Sequence, residues 1–436
     1  MKVKMFLDSF LRVPLLVGEK FDSEVLTLEE VESNINIHNS STSQKTNFLQ
    51  TTFNLLNTLS GVGILSVPYA LASGGWLSLI LLFVIALATF YTGLLIQRCM
   101  DAKSDIRTYP EVGELAFGNN GKIVVSVFMY VELYLVATGF LILEGDNLNN
   151  MFPDVGFELF GFRIAGQAFF VLVVALIILP SVWLDNLSLL SFVSASGVLA
   201  SAIIIGSVFW CGAFDGIGFK HKGTTLINWK GIPNSISLFA FCYCAHPVFP
   251  TLYTSMNNKR QFSNVLTFCF IICTFCYASM AVMGYAMFGS DIQSQITLNL
   301  PTGKISSLIA IYTTLVNPIC KYALMTVPIV SAFKNRFTSN YNTKPLTVLI
   351  STTLLVSNVI VALAIPFFGS LMSLVGAFLS VTASIILPCV CYLKISGSYK
   401  KPFGFETIII SSIILIGVVV AIVGTYVALA EIVGQM

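Results

Sequence analysis

Residues 58–71 read TLSGVGILSVPYAL, inside the first long apolar run of the chain. The run is long enough to cross a membrane, yet it carries Gly61 and Gly63 near its centre and Pro68 five residues further on. In hydrocarbon each unsatisfied backbone group costs several kcal/mol, so a broken helix is tolerated only against protein or a watery cavity. Close helix packing through small residues is the other use of two glycines. A second stretch decides between them. Residues 241–253 read FCYCAHPVFPTLY, with Pro247 and Pro250 in mid-run and the polar His246 beside them. The interrupted runs are the first and the sixth. Five plus five spans whose first members are both broken is the pattern of an inverted repeat, with the discontinuous helices facing each other near the bilayer midplane.

A spanning helix needs ~20 mostly apolar residues. Eleven runs qualify, at about 48–73, 76–98, 123–145, 164–184, 187–213, 233–256, 263–288, 305–332, 346–366, 368–393 and 406–431. Soft spots at 185–186 and 367–369 leave open a re-entrant helix in place of two spans. The chain is 56% hydrophobic and 10% charged, against roughly 25% charged in soluble domains, which excludes a water-facing globule. The net charge of +2 gives no case for a nucleic-acid partner. The expected fold is therefore an all-α polytopic membrane protein of eleven transmembrane helices. A transporter domain covers 47–432, with one repeat over about 48–213, the second over about 233–393, and an extra helix over about 406–431. Residues 1–46, rich in Ser, Asn, Glu and Asp, read as a disordered tail. With that tail in the cytosol and eleven crossings, Lys and Arg fall seventeen to five in favour of the cytosolic side. This supports an odd span count and a lumenal or extracellular C-terminus.

Cysteine spacing gives neither a disulfide framework nor a zinc site. Cys242-x-Cys244-x-His246 looks ligand-like, but neighbours two apart on a helix point to different faces. No metal and no cofactor is expected.

The breaks suggest their own chemistry. Where the first span unwinds, the amides of Gly61, Val62, Gly63 and Ile64 lose internal partners at the start of the second half-helix, which carries partial positive charge. A carboxylate fits there without a basic side chain. The end of the first half-helix, at Leu59 and Ser60, offers carbonyls, and the break near Cys242–Ala245 offers more. These suit an ammonium. Amides on one side and carbonyls on the other match a zwitterion, which points to an α-amino acid rather than a sugar or an ion.

With these residues in view, the chain resembles the amino acid/auxin permease family. The stretches that carry the resemblance are GVGILSVPYAL after an Asn57-containing helix, ELYLVATGFLILEGDNL at 132–148 and HPVFPTLYTSM at 246–256. The nearest branch looks like the plant and fungal vacuolar amino acid transporters. The resemblance spans about 48–431. It implies the broken-helix, LeuT-like fold of the APC superfamily, amino acid substrates and coupling to protons. The family's substrate-binding positions carry over to Gly61, Val62, Gly63 and Ile64 on the first span and to Tyr243, Cys244, Ala245 and His246 on the sixth. Where the family pattern reads CYSGHAVFP, this chain reads CYCAHPVFP. Ala245 and Pro247 narrow the pocket or stiffen its gate.

Ionisable residues at membrane depth are functional candidates. Glu132 lies near the middle of the third span and is either a structural carboxylate or a proton carrier. Glu144 and Asp146, at the far end of that span, read as a solvated vestibule rim rather than a proton relay. Lys321 lies near the middle of the eighth span. Related sodium-coupled folds hold a cation between their first and eighth helices, and an ammonium there replaces it; the alternative is an ion pair with Glu132. His246 is either a coupling group, since imidazole titrates near pH ~6.5 in water, or the cap of a broken helix. The resulting expectation is a proton-coupled amino acid transporter of an endomembrane, the vacuole before the plasma membrane, whose partners are substrate, protons and lipid. A non-transporting sensor of the same fold is the alternative. A channel is less consistent, because neither rings of like charge nor a carbonyl filter is visible. No enzyme motif occurs.

Overall fold

The computed structural model of the chain describes residues 45–103, 106–153, 155–159, 162–183, 190–220, 223–337, 343–397 and 404–436. The tail expected over 1–46 lies outside them except for its last two residues, as does the soft spot at 185–186.

A capping box fixes where the first span begins. The Asn47 side chain accepts from the Gln50 amide at 2.9 Å, and the Gln50 side chain accepts from the Asn47 amide at 3.1 Å. Helix α1 (Phe48–Leu59) ends after three turns, and α2 (Gly63–Gly74) leaves at an angle of 48° to it. Pro68 inside α2 has no amide to give and carries a ring that crowds the preceding turn. Gly284 of the seventh span makes room for it, since a Cβ there would lie 2.5 Å from the Pro68 Cβ.

The chain continues through α3 (Ser78–Ala102) and α4 (Tyr109–Met151). Gly118 in α4, with φ 65°, kinks a short entry segment away from the spanning part. An antiparallel hairpin follows, β1 (Gly156–Leu159) on β2 (Phe162–Ala165), with Gly156 opposite Ala165. The strictly all-α expectation is corrected by that small addition. Next come α5 (Gln167–Ile178), α6 (Leu190–Phe214), α7 (Ile232–Cys242), α8 (Phe249–Ser255), α9 (Phe262–Phe288) and α10 (Ile305–Phe337). The last three are α11 (Thr343–Ala364), α12 (Phe368–Ser396) and α13 (Phe405–Gln435). Helices α11 and α12 are separate, so the 367–369 soft spot is a genuine junction.

Among the described residues nine helices are long and apolar enough to cross a membrane, and the bent pair α1–α2 makes a tenth. The fourth expected run holds only α5, of twelve residues, and a turn at Ser181–Trp183. Twelve residues rise ~18 Å, short of a ~30 Å hydrocarbon core. Length and composition alone therefore give ten spans where the apolar runs give eleven.

Burial ranks the spans. The most apolar window of the α7–α8 span is 72% buried and that of α12 67%, against 22% for α13. The broken sixth span is thus mostly enclosed by its neighbours, while α13 turns most of its apolar surface outward, as a lipid-facing helix does. Helix α13 still makes close contacts. A Cβ at Gly424 would lie 2.8 Å from the Ala377 Cβ of α12 and 2.7 Å from the Ser237 hydroxyl of α7.

Helix α12 is π-helical over Val375–Ser380 and Thr382–Ile386. Pro388 accounts for part of this. It has no amide to return to Ser384 in an α turn or to Ala383 in a π turn. Both carbonyls are met from elsewhere: Tyr109 Oη donates to Ala383 O at 2.5 Å and Thr92 Oγ1 donates to Ser384 O at 2.6 Å.

Candidate functional site

The two breaks touch. A Cβ at Gly63 would lie 2.8 Å from Cys242 Sγ and 3.2 Å from Cys242 Cα, so glycine lets the start of α2 meet the end of α7 without displacing either. At Gly61 the nearest atom to such a Cβ is Thr58 O at 3.8 Å, which leaves ordinary space.

The four amides expected to be free at the first break divide into two pairs. The Gly61 amide donates to Leu59 O at 2.8 Å and the Ile64 amide to Gly61 O at 3.4 Å. Among the described residues, the amides of Val62 and Gly63 find no acceptor. The unwound turn thus spends two of its donors on itself and leaves two adjacent ones at the N-terminus of α2, where the helix dipole favours an anion.

The carbonyls are more occupied than the sequence indicates. Leu59 O accepts from the Tyr277 hydroxyl of α9, which also lies 3.1 Å from Cys242 O. Ser60 O accepts from Ser201 Oγ at 3.4 Å, and Tyr243 O from the Ala245 amide at 3.0 Å. Pro247 has no amide, so no turn can close from it onto Tyr243 or Cys244. Tyr277 is the site residue that sequence reasoning missed; no local motif marks a tyrosine in the middle of an apolar span.

Cys242, Cys244 and His246 diverge rather than converge. Cys242 packs on Gly63. Cys244 Sγ donates to Glu132 Oε1 at 2.7 Å. His246 is fully buried, and its Nε2 lies 3.0 Å from Thr89 O and 2.9 Å from Thr92 Oγ1. A carbonyl only accepts, so Nε2 carries the proton. Nδ1 is buried and has no partner among the described residues. His246 therefore fastens the sixth break to α3.

Glu132 and Lys321 also separate. Glu132, 3% exposed, receives Cys244 on one side and Ser380 Oγ at 2.6 Å on the other. It joins the sixth break to the π-helical part of α12. Lys321, 4% exposed, donates to Asn57 O at 3.1 Å and reaches Ser60 O at 3.5 Å. Its ammonium lies at the C-terminal end of α1, where the dipole favours a cation. The Glu132 oxygen is met by a thiol and a hydroxyl, so the ion-pair alternative gives way to two separate attachments.

Glu144 corrects the vestibule reading. It is 1% exposed, and among the described residues neither carboxyl oxygen has a partner. Its neighbour Asp146 accepts from Gln295 Nε2 at 2.9 Å, and Gln295 in turn accepts from Asn147 Nδ2 at 2.6 Å. This end of α4 is roofed by the segment around Gln295 instead of lying open.

The family model described as transmembrane amino acid transporter protein matches residues 44–430. The chain is 61% identical to "Amino acid transporter AVT1J" of Arabidopsis thaliana over 391 residues, which are 89% of this chain and 92% of that one. It is 60% identical to "Amino acid transporter AVT1I" of the same plant, over 89% of this chain and 96% of that one. Further off, it is 25% identical to the "Vesicular GABA transporter" of Caenorhabditis elegans, over 87% and 78% of the two chains. With two broken spans in contact inside a polytopic membrane protein, and a match over nearly all of its length, this chain belongs to the transmembrane amino acid transporter family, a family of transporters and not of enzymes.

Proposed function

We propose that this protein moves amino acids across an endomembrane by proton-coupled alternating access, with the substrate held between the two helix breaks. One observation carries the reading: the breaks meet at Gly63 and Cys242, with the unpartnered amides of Val62 and Gly63 at the start of α2. Those amides take the substrate carboxylate. The α7 end at Cys242, with the turn Tyr243–His246, takes its ammonium, since Leu59 O and Ser60 O each already accept from two donors. No side chain need carry a formal charge at either end, because the helix dipoles supply it.

The moving parts are α1–α2 and α7–α8, rocking against α4, α5, α10 and α11 in a 5+5 inverted repeat. Counting α5 as a short fourth crossing and α13 outside the repeat gives eleven crossings, with the N-terminus in the cytosol. The resemblance to vacuolar transporters favours the vacuolar membrane. Lys321 stands where a coupling cation would otherwise bind, so transport needs no sodium. Glu132 and His246 are the groups through which a proton acts, since each ties the sixth break to a neighbouring span.

The test is reconstitution into proteoliposomes with a panel of labelled amino acids, with and without an imposed proton gradient. Uptake is expected to follow the gradient and ignore sodium. Sodium-dependent uptake that ignores the pH gradient overturns the coupling, and binding without uptake of any amino acid turns the reading toward a sensor.

A further inference from the structure

Leu59 closes α1 and Cys242 closes α7, the first halves of the two broken spans. Their carbonyls share one donor. Tyr277 donates its hydroxyl proton to Leu59 O, and its oxygen lies 3.1 Å from Cys242 O. A phenol has one proton and spare lone pairs. It can serve one carbonyl at a time; Leu59 O also accepts from the Gly61 amide at 2.8 Å, so with the phenol proton on Leu59 O it is Cys242 O, at a half-helix end of partial negative charge, that has no donor among the described residues. The phenol oxygen and Cys242 O together form a pair of acceptors spaced for a single bridging N–H group.

The ring cannot leave. Tyr277 is fully buried and packs edge-on against Tyr243, with ring centres 5.4 Å apart and planes at 83°. Tyr243 in turn stacks on Phe270 at 5.8 Å and donates to Thr274 Oγ1 at 2.9 Å. This aromatic wall fixes the phenol oxygen between the two breaks before any substrate arrives.

We propose that Tyr277 is the amine-binding side chain of the site: its proton stays on Leu59 O, while its oxygen, with Cys242 O, accepts from the substrate ammonium. The inference rests on the zwitterion reading above and adds a side-chain ligand to it. It also names a selectivity. An ammonium with its three N–H donors satisfies both acceptors, whereas a substrate without N–H donors leaves Cys242 O unmet.

The test is Tyr277→Phe, which removes one oxygen and keeps the ring. The probe is whichever labelled standard amino acid the wild type transports fastest, with its deamino and N-trimethyl derivatives as competitors. A hydrogen bond to a charged group is worth about tenfold or more in affinity. Tyr277→Phe is therefore expected to raise KM for the amino acid about tenfold while competition by the deamino derivative stays unchanged. Equal weakening of both means that Tyr277 is only a structural pin, and overturns the proposal. If the Phe variant does not fold, the wild type's own ranking of the competitors decides. A trimethylated derivative that competes as well as the primary amine overturns the proposal. A wild type that neither binds nor moves any amino acid defeats the underlying site reading instead.

Discussion

The thiol of Cys244, in the sixth-span break, donates to the carboxyl of Glu132 on the third span at 2.7 Å, and Ser380 of the tenth donates to the same oxygen at 2.6 Å. One buried carboxyl thus holds the sixth-span break to two other spans. A protonated carboxyl has one oxygen committed to its own proton, which changes how strongly it accepts. Gain of a proton at Glu132 alters the grip on the break directly.

Glu132→Gln keeps an acceptor oxygen of similar size but cannot change charge. Accumulation driven by a pH gradient is expected to fall by roughly tenfold or more, the scale of one altered hydrogen bond to a charged group. Exchange of labelled for unlabelled substrate at equal pH is expected to persist. Loss of both together, with the protein still monodisperse, removes Glu132 from coupling and leaves it a structural group.

Gly61 and Gly63 should respond differently to the same methyl. At Gly63 it collides with Cys242, including its Cα, and backbone cannot turn away as a side chain can. At Gly61 it meets nothing closer than 3.8 Å. Gly63→Ala is expected to cost transport about tenfold or more, from ~1–3 kcal/mol of overpacking, whereas Gly61→Ala is expected to remain near wild type. Initial uptake rates at matched protein amounts check this. Equal rates for the two variants would contradict the contact between the breaks.

Lys321 donates to Asn57 O and reaches Ser60 O, at the end of the first half-helix. Lys321→Met keeps much of the length and removes the charge, so these carbonyls lose their cation. Uptake is expected to fall at least tenfold, consistent with ~1.5–3 kcal/mol for a charged hydrogen bond. Wild-type uptake should be the same in sodium and in choline buffers. A Lys321→Met protein with wild-type uptake would mean that the ammonium does not hold the break.

The spans and their two interruptions were legible because hydrocarbon imposes length and forbids idle backbone. Gly61, Gly63, Pro247 and Pro250 had to mean a break, a close approach, or both. What was not legible is which partner claims each freed group. Lys321 and Glu132 are the two charges deepest in the sequence pattern and look like a pair, yet they meet different elements, since register between distant spans is written in no local motif. Tyr277 is hidden for the same reason. The π-helical stretch is a partial exception: Pro388 has no amide for Ser384, so one free carbonyl there could have been read in advance, though not that the π turn would free Ala383 as well, nor that Tyr109 and Thr92 would meet the two. Glu144 misled because its place at a span end suggests water, while the segment around Gln295 covers that end.

Helix α13 looks dispensable by burial, but Gly424 places it directly on the segment that carries Ser380. A side chain at 424 would strike Ala377 and Ser237 at once, on α12 and α7. Gly424→Leu must therefore move α13 away or distort the π-helical stretch, and that stretch holds Glu132 through Ser380. Overpacking of this kind costs ~1–3 kcal/mol. The expected result is a lower thermal midpoint in detergent and slower uptake, with KM little changed because no substrate group is touched. Gly434→Leu, where a Cβ meets nothing within 4 Å, is the control and should leave both quantities unchanged. If Gly424→Leu matches that control, α13 is a passive lipid-facing helix and the transport unit works without its support.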